Sequence, residues 1–349
     1  MKRRSVIALL FVMLIAAIAP QRGRAISFNL DSIATWGKFP RFCVNTYRWG
    51  DKFFNGYDTA YVAPAGYKFN VKMTADSWIE AYNFQLPDHS RIFMHSDNST
   101  SAGLYLTYLA LSVGYDINLS KIFGDSSPAR KRFRFGFNCM LFGAEFYMSK
   151  NDVGTTIKRF GKYDHLKMPF NGVNNSTWGL DAYYFFSHKR YSEAATFSFS
   201  RIQRKSHGSF YTGFSIYSQK LDFDFNILPE PLKELLPATW PDKHYRVNTH
   251  NYALRFGYGY NWVFSPKWVL GVSESPIIGV RKGLVLSDVE KTSVSIYNRL
   301  KLSVVWNSNK WFFGFVGKAD LAILSDKQTV YAGGTISGEA VLGYRFDIW

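Results

Sequence analysis

Long stretches of this chain alternate between apolar residues and small or polar ones, which restricts the possible folds more than any other feature. In YALRFGYGYNWVF, residues 252–264, every even position is aromatic or aliphatic, whereas the odd positions begin Ala, Arg, Gly, Gly, Asn. The segments 132–141 and 311–321 show a similar alternation. Because successive side chains of a strand point to opposite faces, each segment predicts a β-strand with one apolar face.

Strand length separates a membrane barrel from a secreted β-sandwich or a lipocalin-like barrel, since all three show this alternation. The alternating segments 103–119, 132–148, 246–264 and 291–307 are much longer than the about 5 to 6 residues of an ordinary strand. Tyr or Trp lies near several of their ends, and aromatic residues make up 18% of the chain, as in the aromatic girdles of membrane barrels. The sequence therefore predicts an all-β fold, an antiparallel transmembrane β-barrel.

The number of strands follows from dividing the alternating sequence. The segments are 67–75, 78–86, 102–119, 132–149, 152–163, 176–188, 194–204, 209–225, 246–264, 267–281, 291–307, 310–325 and 334–348. Bacterial single-chain barrels have an even number of strands, so we expect about 12, or 14 if residues 91–96 form a further strand. With a periplasmic C-terminus, the Pro-rich loop 226–244 is extracellular, whereas the linker 164–175 falls on the periplasmic side.

The first 25 residues have the organisation of a secretory signal peptide. Three basic residues, Lys2 to Arg4, precede an apolar run at 6–19, and a small-residue cleavage pattern follows at 23–25. An uncleaved membrane anchor is the alternative, but the run is shorter than the roughly 20 residues that a spanning helix needs. We therefore expect residues 1–25 to direct export and to be removed.

The mature chain is expected to have two parts. Residues 26–56 form a periplasmic segment, in which the spacing of apolar residues from Pro40 to Phe54 predicts a short amphipathic helix. Residues 57–349 form the outer-membrane β-barrel. Two cysteines, Cys43 and Cys139, remain in an oxidising compartment, but Cys139 lies in the phase assigned to the lipid-facing side of a strand, so we expect no disulfide.

The charge of the chain indicates its classes of partner. Removal of the signal peptide with its five basic residues lowers the net charge from +16 to +11, so the mature protein stays basic. Basic proteins bind nucleic acid, anionic lipid or anionic solutes, and export excludes nucleic acid. We therefore expect outer-membrane lipid and lipopolysaccharide as partners, whereas the oligomeric state does not follow from the sequence.

The inward phase of the predicted strands carries a cluster of charges. Its members are Arg132, Arg134, Arg255, Arg299, Lys301 and Lys318 against Asp116, Asp181 and Asp320. Cations outnumber acids in this set, and charges inside a bilayer must be paired or hydrated. Because a barrel of about 12 strands is too narrow for a wide channel, we expect either a plugged barrel held by Arg–carboxylate contacts or a narrow path that prefers anions. A purely structural role for these charges is the alternative.

The chain ends in an aromatic residue, Trp349. We expect Trp349 to be the signal that the barrel-assembly machinery reads, although it shares the phase of Arg345 and Asp347 rather than that of the apolar residues. A bulge near the end of the last strand or an inward-pointing Trp349 accounts for this phase.

Three short motifs resemble those of a known family. They are YDTAYVAPAGYKFNVKM at 57–73, followed by Trp78; VGYDINL at 113–119; and the ending GYRFDIW at 343–349. They resemble a Bacteroidota family of exported proteins known as domain of unknown function 4421, over nearly the whole mature chain. The resemblance implies an outer-membrane barrel and implies no activity, so it assigns no functional residues.

Other kinds of functional site have little support. The stretch RIFMHSDNST, 91–100, places His95, Asp97 and Ser99 in one strand phase, similar in residue types to outer-membrane phospholipases, but the His-x-Ser-Asn order of that group is absent. The scattered histidines predict no metal site, and no phosphate-binding loop is present, so we expect no cofactor. A structural or transport barrel leads, a surface protein that binds partners through its loops is second, and a lipid hydrolase is a distant third.

Overall fold

A computed structural model describes most of the predicted barrel. The described residues are 56–108, 111–118, 131–151, 154–238, 240–285, 291–325 and 329–347, with isolated positions between 35 and 53. Residues 50–348 form one compact unit, and residues 1–49 belong to another. The described positions from 41 to 53 are helical, in agreement with the predicted short helix, whereas the predicted signal peptide, Cys43 and Trp349 lie outside the described residues.

Seventeen strands occur in the described part of the chain. They are β1 (Val62–Pro64), β2 (Phe69–Gln85), β3 (Arg91–Ser96), β4 (Ser99–Tyr108), β5 (Leu111–Asn118), β6 (Lys131–Asn138), β7 (Phe142–Asn151), β8 (Thr155–Phe160), β9 (Met168–Phe170), β10 (Val173–Phe185), β11 (Arg201–Gln203), β12 (His207–Asp224), β13 (His244–Ser265), β14 (Trp268–Val285), β15 (Lys291–Asn307), β16 (Trp311–Ser325) and β17 (Val330–Phe346). Helical segments are short: a π-helical turn at Ala194–Ser198, an α-helical turn at Glu230–Lys233, and 3₁₀ turns at Phe225–Ile227 and Pro241–Lys243.

Twelve strands close into an antiparallel barrel, which confirms the predicted fold and strand number. Their order is β2-β4-β5-β6-β7-β10-β12-β13-β14-β15-β16-β17, and β17 returns to β2 along its full length, from Phe346 opposite Phe69 to Val330 opposite Gln85. We call the end where β2 begins and β17 finishes the terminal end, and the opposite end the loop end. No helix in the described part of the chain has the length and hydropathy needed to cross a membrane.

Several predicted strand boundaries are wrong. The predicted segments 67–75 and 78–86 belong to one strand, β2, rather than two, and the segments 102–119 and 132–149 each hold two strands of a hairpin. The segment 194–204 contains the π-helical turn and the short β11 rather than a barrel strand. The linker 164–175 lies at the loop end, because it leads from β8 through β9 into β10, and not at the terminal end as predicted.

The outer wall presents the apolar phase of the strands. On β13, Tyr252, Leu254 and Phe256 are each more than half exposed, whereas Ala253 and Arg255 between them are buried. Exposed aromatic and aliphatic residues continue on the neighbouring strands, so the wall carries an apolar belt with a polar interior, as a transmembrane barrel requires.

An apolar cluster fills the lumen at the loop end. Strand β2 forks there: its first half pairs with β4 and its second half with β3, which continues the sheet through β8 and β9. We call the cluster the apolar cap; its buried members are Tyr82, Phe84, Leu86, Ile92, Met94, Ile157, Phe160, Phe170, Val173, Leu221, Phe223, Phe225, Leu228, Leu236, Trp240, Tyr245, Val247, Leu324 and Tyr331. The ring of Phe84 lies at its centre, 4.9 to 6.3 Å from five other aromatic rings.

The lumen at the terminal end is filled by the connection between β10 and β12, residues 186–206, which we call the insert. It includes the π-helical turn Ala194–Ser198, and its strand β11 pairs with β1. Phe199 of the insert packs in a second apolar cluster with wall residues that include Val305 and Phe312. Both ends of the lumen therefore hold packed side chains.

Candidate functional site

A cavity of about 390 Å³ lies in the lumen between the cap and the insert. Tyr82 and Tyr331 of the cap border it on one side, and Glu193 and Phe197 of the insert border it on the other. We call it the chamber. Its charged lining residues are Lys72, Arg134, Arg255, Arg299, Lys301 and Lys318 with Glu80, Glu145, Asp181, Glu193, Asp320 and Glu339.

One group of predicted lumen residues forms a continuous charge network across the chamber. Asp181 Oδ2 lies 3.2 Å from Nη2 of Arg255 and 3.1 Å from Nη1 of Arg299. Arg299 Nε also donates to Asp320 Oδ1 at 2.5 Å. Arg255 and Asp181 are almost fully buried, where a charge persists only if a partner of opposite sign compensates its desolvation. The structure thus brings together four of the predicted residues from four different strands.

A second group lies on the β4–β6 side of the chamber. The Tyr105 hydroxyl donates to Asp116, whose two carboxylate oxygens lie at 2.7 and 2.8 Å, and Arg134 donates to the Tyr105 oxygen. Arg134 Nη2 also lies 3.6 Å from Glu339 of β17. The predicted residue Arg132 pairs through its main chain with Asp116, while its side chain lies outside the described part of the structure.

The insert is tied to the chamber by a third charged group. Lys301 of β15 forms an ion pair with Glu193 of the insert, and the Tyr183 hydroxyl donates to the same carboxylate at 2.9 Å. Lys301 was predicted to face the lumen, whereas Glu193 and Tyr183 were not singled out from the sequence. Lys318 lines the chamber as well.

The predicted surplus of positive charge in the lumen is wrong for the described lining. Six basic and six acidic side chains line the chamber, because Glu80, Glu145, Glu193 and Glu339 face inward and were missed. An interior with equal numbers of both signs gives no general preference for anions. It offers instead both donors for carboxylate or phosphate groups and acceptors for ammonium groups.

A turn explains why Glu145 was missed. Residues 139–141 interrupt the segment that was treated as one strand, so the inward phase changes from even positions on β6 to odd positions on β7. Cys139 lies in this turn and is buried; its main-chain N–H donates to the carbonyl of Phe142 at 3.0 Å. The expectation that Cys139 faces lipid from a strand is therefore wrong.

Arg345 of β17 fastens the insert to the barrel wall. Its guanidinium Nη2 donates to the carbonyl of Phe199 at 2.7 Å and to Asn307 Oδ1 at 2.6 Å, and Nη1 donates to the carbonyl of Ser308 at 3.0 Å. The rings of Phe199 and Phe312 stack with centroids 5.2 Å apart. Phe199 has φ = 62°, a left-handed conformation that a bulky residue adopts only when its surroundings enforce it.

Amide side chains fix the rest of the insert. Asn261 Nδ2 donates to the carbonyl of Ser192 at 2.8 Å and to Gln203 Oε1 at 3.0 Å. Gln203 Nε2 in turn donates to the carbonyls of Arg190 and Lys205, at 2.6 and 2.9 Å. Asn261 was noted in the sequence only as a polar inward position, and nothing in its spacing indicated that it holds a distant segment.

The residues considered for a lipid hydrolase do not form a catalytic arrangement. His95 Nδ1 contacts the main-chain oxygen of Ser96 at 2.9 Å, while the Ser96 hydroxyl accepts from the main-chain N–H of Glu80. Ser99 accepts from the amide of Asn118 at 3.2 Å. These contacts hold the fork between β3 and β4, and they do not join a base to a nucleophile as hydrolysis requires. In the described part of the chain, His, Cys, Asp and Glu residues form no group that could hold a metal ion.

Solved structures with a similar fold are outer-membrane proteins of low sequence identity. An outer membrane channel from Pseudomonas putida F1 is 12% identical, with a TM-score of 0.40 over 79% of this chain and 96% of that one. The translocator domain of the autotransporter NalP from Neisseria meningitidis is 12% identical, with a TM-score of 0.39 over 88% and 96%. The outer membrane protease OmpT from Escherichia coli is 7% identical, with a TM-score of 0.36 over 80% and 96%.

Sequence comparison identifies the family of the chain. No curated protein matches it significantly. The family model described as domain of unknown function (DUF4421) matches residues 56–346, almost the whole barrel. This chain therefore belongs to the DUF4421 family.

Proposed function

We propose that this protein is an outer-membrane barrel that is closed at rest, binds a small polar solute in the chamber, and opens when the insert moves. The observation that carries the proposal is the position of the insert, which fills the lumen at the terminal end. The apolar belt on the outer wall and the expected signal peptide support the membrane location. In this proposal the loop end is extracellular and the terminal end is periplasmic.

The chamber offers a route for a solute from the loop end. Its lining extends to Ser149 and Asn175, which lie near the loop ends of β7 and β10, beside the apolar cap rather than through it. The balanced charges and the lining tyrosines, among them Tyr147 and Tyr217, suit a solute that carries both charge signs or many hydroxyl groups. A solute of this kind replaces the expected preference for anions.

The contacts of the insert suit a gate. Beside the apolar contact of Phe199 with Phe312, polar contacts hold it to the wall through Arg345, Asn261 and Lys301, and such polar groups exchange readily for water when a segment moves. A permanently plugged structural barrel is the alternative, and hydrogen exchange separates the two, since a gate opens far more often than the barrel unfolds.

The geometry gives less support to a surface protein that binds partners through its loops. The Pro-rich loop after β12 folds onto the barrel, where Leu228, Leu236 and Trp240 are buried in the cap. It is thus part of the closure at the loop end. A lipid hydrolase lacks a catalytic arrangement at the one stretch that suggested it.

Conductance in a planar bilayer tests the proposal. The wild-type protein is expected to show small steps or none, whereas replacement of residues 192–200 by a short Gly–Ser linker should give large, weakly selective steps. A Gly–Ser replacement of the exposed residues 162–165 serves as the control and should conduct like the wild type. Large steps in the wild type, or none after the insert is shortened, would contradict the proposed gate.

A further inference from the structure

Basic side chains gather on the outer wall of the barrel at the loop end of β12, β13 and β14. We call this group the basic patch; it consists of Lys220, Arg246, His250 and Lys282, with Asn248 among them. All five side chains are exposed, and they alternate with buried inward residues such as Val247, Thr249 and Arg281. The patch therefore faces away from the lumen and has no part in the chamber.

The strand register places these side chains next to one another. Lys220 lies opposite Asn248, and His250 lies opposite Lys282, while Arg246, Asn248 and His250 are successive outward positions of β13. With strands about 4.8 Å apart and alternate residues about 7 Å apart along a strand, the patch measures roughly 10 by 13 Å. One or two phosphate groups fit against a surface of this size.

The height of the patch sets it at the boundary of the membrane. Toward the middle of the barrel wall, the outward position next to His250 on β13 is Tyr252, and the outward position next to Lys282 on β14 is Val280. Both are exposed and belong to the apolar belt. The lysines lie where hydrocarbon gives way to headgroups, and their long side chains extend toward that boundary.

The positive charge of the patch is mostly uncompensated by the protein. Arg246 Nε lies 3.7 Å from Asp222, which is also 2.8 Å from His244. Within the described residues, Lys220, His250 and Lys282 form no ion pair. The outward positions described on β15, β16 and β17 carry no charged residue, so the basic patch ends at β14 on this side of the wall.

From these observations we infer that the basic patch binds the phosphate groups of lipid A, the phosphorylated anchor of lipopolysaccharide. A ligand beside the belt must itself lie in the membrane, and its headgroup must be anionic to match Lys220, His250 and Lys282. Asn248 supplies a neutral donor between the cations. The inference rests on the outer-membrane location proposed above, with the loop end outside, and is independent of the gate.

The test compares two sets of charge-neutralising substitutions. Lys220→Gln, His250→Asn and Lys282→Gln remove the basic side chains of the patch other than Arg246, whereas Lys162→Gln, His165→Asn and Lys167→Gln remove the same types of side chain from the exposed loop between β8 and β9. Both triple variants and the wild type are reconstituted in phosphatidylcholine vesicles, with lipid A or with phosphatidylglycerol as the anionic component. The affinity for each anionic lipid is measured by titration of that lipid into the vesicles. Heat-modifiable migration on gels checks that each variant is folded.

We expect the wild type and the loop variant to bind lipid A equally and in preference to phosphatidylglycerol. The patch variant should bind lipid A on the order of 10- to 100-fold more weakly, since each of the two lysines near an anionic surface contributes a factor of about five. Equal lipid A binding by the patch variant would overturn the inference, and so would equal affinity of the wild type for both anionic lipids. Failure of the gate would leave these results unchanged, whereas a soluble protein with no vesicle insertion would refute the membrane location itself.

Discussion

At the scale of single residues, Arg345 holds the insert against the barrel wall. Its side chain is almost fully buried and donates to the carbonyls of Phe199 and Ser308 and to Asn307. Arg345→Met keeps much of the volume but leaves these acceptors without a donor, so we expect a loss of about 2–4 kcal/mol in the free energy of unfolding. Urea unfolding in detergent micelles measures the change.

The control for Arg345 is Arg190, which is exposed and pairs with Asp58 at 3.4 Å. Arg190→Met should cost less than about 0.5 kcal/mol, because exposed ion pairs contribute little. If Arg345→Met were as mild as Arg190→Met, the insert would not be held by this contact.

A second residue-scale prediction concerns the loop between β8 and β9. Arg159 donates to Asp164, and this hydrogen bond lowers the pKa of the Asp164 carboxyl from 3.8 to about 2. Because the pKa is lower in the folded state, the contact stabilises the loop above about pH 4 and is lost as the pH falls through about 2.

Carboxyl chemical shifts followed by NMR should therefore give Asp164 a midpoint near 2, and Arg159→Gln should return it toward the ordinary value. A normal midpoint in the wild type would show that the two side chains do not form this bond in solution.

The inward or outward direction of a residue was predictable where a strand runs without interruption. Arg255 and Asp181 lie in the lumen on β13 and β10 as their phases indicated, and Arg299 and Asp320 do so on β15 and β16. Glu145 was missed because the turn at 139–141 shifts the phase: the large apolar residues lie at odd positions up to Phe137 and at even positions from Phe142, and one uninterrupted strand had been assumed. Contacts such as that between Asn261 and Ser192 join residues far apart in the sequence, and single-sequence patterns do not reveal them.

At the scale of elements, the strand number was correct although several elements were not. Two long segments, 102–119 and 132–149, are hairpins, which adds two strands to the barrel. One strand, 67–86, had been divided, and the segments 152–163 and 194–204 lie outside the ring. These errors cancel to give twelve. Both hairpins were taken for single strands because their turns are tight and apolar, and they show only as a change of phase in the alternation.

The apolar cap is an element that no periodic pattern predicts, since its members come from six barrel strands, the β3–β8–β9 extension and the Pro-rich loop. Phe84 at its centre is fully buried. Phe84→Ala should therefore lower the free energy of unfolding by about 3–5 kcal/mol, measured by urea unfolding in micelles.

Ile227 is the matched control for Phe84, because it lies at the same end and is half exposed. Ile227→Ala should cost less than about 1 kcal/mol. Equal and small effects at both positions would mean that the loop end is open rather than packed.

At the scale of the whole molecule, the protein is a transmembrane barrel with two closures and a charge-balanced chamber between them. The cap closes the loop end with residues of β2, β10, β12, β13, β16 and β17, the β3–β8–β9 extension and the Pro-rich loop, and the insert closes the terminal end. A barrel of 12 strands is wide enough to hold such a chamber but too narrow to leave an aqueous channel once both closures are in place. In the proposed function, passage of a solute depends on movement of the insert.

The central claim is that the insert occupies the lumen. A cross-link between the insert and the wall tests it most directly. Thr196 Oγ1 of the insert lies 3.2 Å from Asn261 Oδ1 on the inward face of β13. In a background with Cys43→Ser and Cys139→Ser, the pair Thr196→Cys and Asn261→Cys is treated in intact membranes with a short thiosulfonate cross-linker. The control pair is Thr196→Cys with Val280→Cys, whose second position faces outward. The account predicts that most of the folded protein is cross-linked through positions 196 and 261 and little through 196 and 280; equally low cross-linking of both pairs in folded protein would show that the insert does not occupy the lumen.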